Sequence, residues 1–149
     1  MKFNKPEAEL FIPDGVDEKT ALSRTTDLCI AAHQDDIEIM AYGPIAKCYG
    51  LKDKWFTGVT VTDGAGSPRT GIYSDYTDED MKKVRVVEQK NAASVGGYAA
   101  QFLLSYTSSE VKDASNLKTV EEIAEIIKAC SPEVVTPTTS PTSTIPTLR

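Results

Sequence analysis

Asp27-Leu28-Cys29-Ile30-Ala31-Ala32, followed without a break by His33-Gln34-Asp35-Asp36-Ile37-Glu38, is the stretch that decides how this chain folds. Its first half is a short apolar run of the kind a strand makes when both of its faces are buried. The polar cluster behind it marks a loop at the strand's carboxyl end. Beyond that loop, Ile37, Met40, Ala41, Ile45 and Ala46 recur at near-helical spacing, with Gly43-Pro44 expected to weaken or kink the helix they share. A second, β-branched strand then runs from Trp55 to Thr62 and gives way to Asp63-Gly64-Ala65-Gly66-Ser67-Pro68, whose glycines and proline demand an irregular loop.

Thr77 with Asp80 three residues on is the start signal of a helix carrying Met81, Val84, Val87, Ala92 and Val95, which stops at Gly96-Gly97. A third strand follows over about Ala99 to Tyr106. The next helix runs from Leu117 to Cys130 with Val120, Ile123, Ala124 and Ile127 on one face, and Glu133 to Val135 begins a fourth strand. Strands alternating with helices at this spacing predict an α/β fold, a Rossmann-like parallel sheet with helices on both faces, in which ligands bind beyond the carboxyl ends of the strands. His33 and Asp63 both fall at that edge.

A chain of 149 residues with 40% apolar and 26% charged residues suits one soluble domain with one core. Residues 1 to 6 contain no apolar leader segment, and no apolar run approaches the roughly 18 residues of a membrane-spanning helix, so no membrane partner is expected and the cytoplasm is the expected location. Cys29, Cys48 and Cys130 are odd in number, widely spaced and set among apolar neighbours, which predicts reduced core thiols. The net charge of −6, without a basic stripe, lacks the footprint of a nucleic-acid binder.

Residues 33 to 38 pack one imidazole and three carboxylates directly after a buried strand. A tight turn there can bring the imidazole and one carboxylate onto a divalent ion while the neighbouring carboxylate takes a proton from water. On spacing alone the plainer alternative stays open: a loop histidine, with Asp35 and Asp36 capping the following helix. Gly64-Ala65-Gly66 is half of a dinucleotide fingerprint, a weak signal without the third glycine and the helix that should follow.

Ala32-His33-Gln34-Asp35-Asp36-Ile37-Glu38 resembles the Ala-His-Pro-Asp-Asp-x-Glu signature of the PIG-L/LmbE family of metal-dependent N-deacetylases, with Gln34 in the proline's place. Thr62-Asp63-Gly64 is similar to that family's Thr-Asn/Asp-Gly turn, and Arg85-x-x-Glu88 followed by Ala92-Ala93 to its Arg-x-x-Glu helix. The resemblance covers roughly residues 25 to 135. It implies zinc or another divalent ion held by His33 and Asp36, Asp35 as the general base, and Glu38 in support behind them. It also implies a role for Arg69 in holding sugar hydroxyls or acidic groups, the alternative being a solvated loop arginine. Arg85 and Glu88, at i, i+3 spacing, are read as a helix-surface pair contributing about 0.2–0.5 kcal/mol.

The family draws a third zinc ligand from an Asp-x-His-x-x-His-like segment after the fourth strand, whereas this chain has one histidine and its residues 136 to 149 hold six threonines and three prolines. Such a composition is not expected to make a buried strand and helix. Shifting the frame by one base turns threonine codons ACN into NAC, which encodes Tyr, His, Asn or Asp. The codons of residues 136 to 147 are thereby compatible with Tyr-Thr-His-Asn-Leu-Ala-Asp-Lys-His-Asp-Thr-His, placing a His-x-x-His pair at Thr144 and Thr147. The expected organisation is a deacetylase-like part over 1–135, incomplete at its C-terminus, and a low-complexity tail over 136–149 expected to be a frameshift product, the alternative being a genuine low-complexity tail. The resemblance implies zinc-dependent hydrolysis of an N-acetyl group from an amino-sugar conjugate, impaired in this chain, with homo-oligomers a feature of the full-length family member. A non-catalytic carbohydrate- or nucleotide-binding module is the reading from another class.

Overall fold

Residues 1–137 are described by a computed structural model of the chain. The elements in order are β1 (Glu9–Phe11), α1 (Glu18–Ser23), β2 (Asp27–Ala31), α2 (Asp36–Met40), α3 (Tyr42–Cys48), β3 (Phe56–Thr62), a 3-10 turn (Gly71–Tyr73), α4 (Asp78–Val95), β4 (Ala100–Tyr106), α5 (Ser108–Lys112), α6 (Lys118–Cys130) and β5 (Val134–Pro137). They build one five-stranded sheet in the order β1-β4-β3-β2-β5, with β2 to β5 parallel and β1 antiparallel to β4. The sheet is therefore mixed at one edge. β1 has three half-buried residues, too few for any periodicity to announce them.

Because side chains alternate across a strand, β2 and β3 each feed two cores. Leu28, Val59, Val61, Ala100, Phe102 and Leu104 pack on one face with Leu22 of α1 and Ile126 and Cys130 of α6. Cys29, Ala31 and Phe56 pack on the other with Ile37 of α2, Ala41, Cys48 of α3 and Ala93 of α4. All three cysteines are free and buried.

Three local expectations need correction. The helix expected across Ile37 to Ala46 is two helices broken at Ala41, and Pro44 lies in the first turn of α3. A continuous helix would need an N–H at Pro44 to reach Met40 O, so the break just ahead of it is the weakening expected of Gly43-Pro44, and within the first turn of α3 the missing N–H has no helical partner to lose. In α4, Val87 and Val95 are exposed and the buried row is Met81, Gln89 and Ala93. In α6, Val120 is exposed, while Glu122 is drawn inside because Tyr106 Oη donates to it at 2.6 Å and the Asn4 N–H at 2.8 Å. Strand β5 also crosses the composition change at Thr136, pairing Thr136 and Pro137 with Cys29 and Ile30. A proline is tolerated there because β5 is an edge strand. The rest of the threonine-rich segment lies outside the described residues.

The chain leaves β2 for β3 and β4 on one side and returns to β5 on the other, so the strand order reverses at β2. A crevice opens at the carboxyl end of a strand where the order reverses, and His33 follows β2 directly.

Candidate functional site

Parallel pairing of Ala31 with Thr60 aligns the ends of β2 and β3, so the loops that leave them meet. The Thr62 N–H donates to Ala32 O at 2.9 Å, and Gln34 Nε2 donates to Thr62 O at 3.0 Å. Gln34 is buried, and through this bond it bolts the loop of residues 33–36 to the end of β3. A ladder irregularity between Thr60 and Thr62 sits at the same edge, with Ser105 of β4 at φ +57°. Bulges of this sort re-aim the chain at strand ends.

Within the loop, His33 and Asp36 come together. The Asp36 carboxylate accepts the His33 N–H at 3.2 Å, and His33 Nδ1 lies 3.4 Å from the same Oδ2. Both residues line a cavity of about 320 Å³ with Thr62, Gly64, Gly66, Ser67, Pro68, Arg85 and Ser108. Asp35 is placed otherwise. It occupies the N-cap position of α2 in the left-handed conformation, φ +71°, and makes no side-chain cap bond. A capping aspartate has extended backbone and accepts an N–H from the first turn, so the plain capping role does not describe Asp35. Its carboxylate instead accepts from Arg85 Nη2 at 2.7 Å, and its N–H donates to Gln89 Oε1 at 3.2 Å.

Arg85 reaches the loop from α4. Besides Asp35 it donates to Gln34 O at 3.1 Å and to Glu88 Oε2 at 2.5 Å, with only 17% of its side chain exposed. Burial alone would lower its pKa, but the bonds and charge of Asp35 and Glu88 outweigh that and raise it, so the guanidinium stays charged. The reading of Arg85 as a helix-surface partner of Glu88 is thus too narrow. Met81, Arg85, Gln89 and Ala93 form one i, i+4 row, and its two polar members, both missed as site residues, touch the loop. The signal in the sequence was that row, which the more apolar valines of α4 obscured.

Glu38 turns inward beneath the loop, where Oε1 accepts from Gln89 Nε2 at 2.8 Å and from Tyr98 Oη at 2.7 Å. Burial first, and then the Glu38 charge, push the Tyr98 phenol far up, so it remains a donor. Burial, with Glu38 and Asp36 adding to it, also lifts the Cys29 thiol to about 12. Arg69 stands apart from the cavity lining, donating to Asp78 and to Ala65 O. Asp63 turns its own loop by accepting the Ala65 N–H at 3.1 Å, and Lys82 lies 3.4 Å from its other oxygen.

An imidazole and a carboxylate facing one cavity suit a divalent ion in kind. Among the described residues, however, no three His, Cys, Asp or Glu groups are placed to hold one, and residues 138–149 contain none of these types. The donor set is therefore one short of the three protein ligands usual in a catalytic zinc site.

A model of the PIG-L family, described as GlcNAc-PI de-N-acetylase, matches residues 28–143. The match begins within β2 and runs past the composition change at Thr136. No curated protein and no solved structure matches the chain.

Proposed function

This chain belongs to the PIG-L (GlcNAc-PI de-N-acetylase) family, and from that premise we propose that its site is built for metal-assisted removal of an N-acetyl group from an N-acetylglucosamine conjugate. The observation that carries this reading is the meeting of His33 and Asp36 at the cavity beyond β2. His33 and Asp36 would hold the ion. When bound, a divalent ion supplies Lewis-acid polarisation of the amide carbonyl and makes water in the site more acidic. Asp35 takes the proton from the attacking water and delivers it to the departing amine, leaving acetate and a free amine. For that, Asp35 must loosen its bond to Arg85, which in the resting arrangement occupies the carboxylate. Glu38 braces the loop from below. Arg69, once released from Asp78, is within the loop that rims the cavity and would contact sugar hydroxyls or an acidic group.

Two protein donors hold metal weakly, so we infer weak zinc binding and slow turnover in this chain. The frameshift reading of the threonine-rich segment accounts for the missing third donor, and sequencing the encoding DNA through codon 136 tests it. The same shortage, together with the Arg85–Asp35 bond, favours as second reading a carbohydrate-binding module without catalysis. One experiment separates them: zinc titration and acetate release from an N-acetylglucosaminyl conjugate, for the wild type, His33→Ala and Asp35→Asn. The enzyme reading expects Asp35→Asn to keep zinc and lose most turnover and His33→Ala to lose both, because ligand and base are separate residues. Sugar binding with no acetate released at saturating zinc would replace it with the binding module.

A further inference from the structure

Gln89 is fully buried, yet both ends of its amide are spent on the loop above it. Oε1 accepts the Asp35 N–H at 3.2 Å, and Nε2 donates to Glu38 Oε1 at 2.8 Å while lying 3.5 Å from Gln101 Oε1. A buried amide costs free energy unless its hydrogen bonds are made, and an apolar side chain would fill the space beside Ala93 without that cost. What an apolar side chain cannot do is hold Asp35 at φ +71°, a conformation that costs a residue with a Cβ about 1 kcal/mol or more. No side-chain cap bond fixes that turn. On the inner side, the Asp35 N–H is anchored by Gln89.

Resting on the proposed function, we propose that Gln89 is a positioning residue of the site: by accepting the Asp35 N–H and bracing Glu38, it holds the left-handed turn that lets Asp36 meet His33 at the cavity. Gln89 does not line the cavity, and its amide acts through Asp35 and Glu38. Gln101, itself tied to Thr60 Oγ1 at 3.0 Å and Phe102 O at 2.9 Å, backs the amide from the sheet.

The test uses the full chain, with Zn2+ titration and amide hydrogen exchange at Asp35 for the wild type, His33→Ala, Gln89→Met, Gln89→Glu and Gln89→Asn, each checked for cooperative thermal unfolding. Gln89→Met keeps the volume and loses all three side-chain hydrogen bonds, so zinc affinity should fall about 10- to 100-fold, the usual effect of removing a group that orients a ligand loop, and Asp35 should lose its protection. Gln89→Glu keeps a side-chain oxygen that can accept the Asp35 N–H, and should keep that protection. A merely structural role would lower the melting temperature of the Gln89 variants and move neither readout. Zinc binding that depends on His33 but is unchanged in Gln89→Met would overturn the positioning role and leave the proposed function standing. If the wild type binds no zinc, the proposed function fails, and Asp35 exchange alone decides for Gln89: protection retained in Gln89→Met overturns it, protection lost supports it. Should Gln89→Met not fold, Gln89→Asn decides: its amide is one methylene too short to reach both Asp35 and Glu38, so lost Asp35 protection with weakened zinc binding supports the proposal, and wild-type protection and affinity overturn it.

Discussion

Replacing Gly64 with alanine is expected to disturb the site through Arg85. Gly64 follows β3 at φ +77°, and a Cβ there would lie 2.9 Å from Arg85 Cβ, 2.9 Å from Arg85 Cγ and 2.9 Å from Gln34 Oε1. Two penalties combine. The left-handed backbone costs a residue with a Cβ about 1–2 kcal/mol, and overpacking a tight contact costs about 1–3 kcal/mol. Neither neighbour yields cheaply: the Arg85 atoms are at the root of its side chain, and Gln34 is buried and bonded to Thr62 O. A total near 3 kcal/mol should lower a urea midpoint by about 1.5 M for a slope of about 2 kcal/mol/M, with the slope itself unchanged. Since the Arg85 stem must move, its bonds to Asp35 and Gln34 O should weaken as well. Truncating Arg85 to alanine removes Cγ, so in the double-mutant cycle Gly64→Ala should cost about 1 kcal/mol less when Arg85 is already alanine. Additive energies, or a loss below about 0.5 kcal/mol for Gly64→Ala alone, would refute the argument that this close approach fixes Arg85.

Two further outcomes follow from buried groups. Burial by itself would raise the Asp27 carboxyl, but bonds from Lys47, Thr26 and Cys48 outweigh it and hold the folded value below the ordinary 3.8. The stability it contributes is therefore fully present above about pH 4 and is lost as pH falls through the folded value, so Asp27→Asn should flatten the acid side of a melting-temperature profile. An unchanged acid limb would contradict this. Burial lifts the Cys29 thiol to about 12 and the Cys130 thiol to about 11, and Cys48 is also raised, chiefly by burial. All three should resist a thiol reagent in native protein and react together in denaturant; rapid native labelling of any one would show that its burial is wrong.

Much of the fold was legible because it rests on periodicities that burial enforces. The runs that became β2, β3 and β4 are buried on both faces, which leaves no polar alternation to misread. The Thr77–Asp80 start of α4 is a capping box with both reciprocal bonds made. What escaped was set by partners distant in sequence. Glu122 reads as a surface residue until Tyr106 and Asn4 are placed beside it. Val87 and Val95 read as core, but the row beneath them faces the polar loop and needs Arg85 and Gln89 there instead. At the site, the residue types of 33–38 pointed to the chemistry, while the direction of each side chain depended on partners such as Thr62, Gln89 and Arg85 and on the left-handed backbone at Asp35.

That angle explains why so acidic a turn is not simply a helix start. Had Asp35 the extended backbone of an ordinary cap, its carboxylate would be committed to the first-turn N–H groups of α2, and a carboxylate bonded in that way is a poor acceptor for a water proton. In the left-handed conformation it is released from the helix and meets Arg85, a side chain from another element that can be displaced without unwinding α2. The conformational cost is offset by bonds on both sides of the turn: Gln89 on the Asp35 N–H, Arg85 on its carboxylate, and Gln34 from the loop to Thr62 O. Local strain held by surrounding contacts is a property of functional loops. Among the described residues the contacts come from α4 and β3, so the geometry of residues 33–36 is tied to the packed core. The loop should accordingly keep its shape in variants altered beyond Pro137, and the Asp35 amide should exchange at the same rate with that segment replaced by a flexible glycine-serine sequence. A faster exchange there would show that the segment, and not α4, holds the turn.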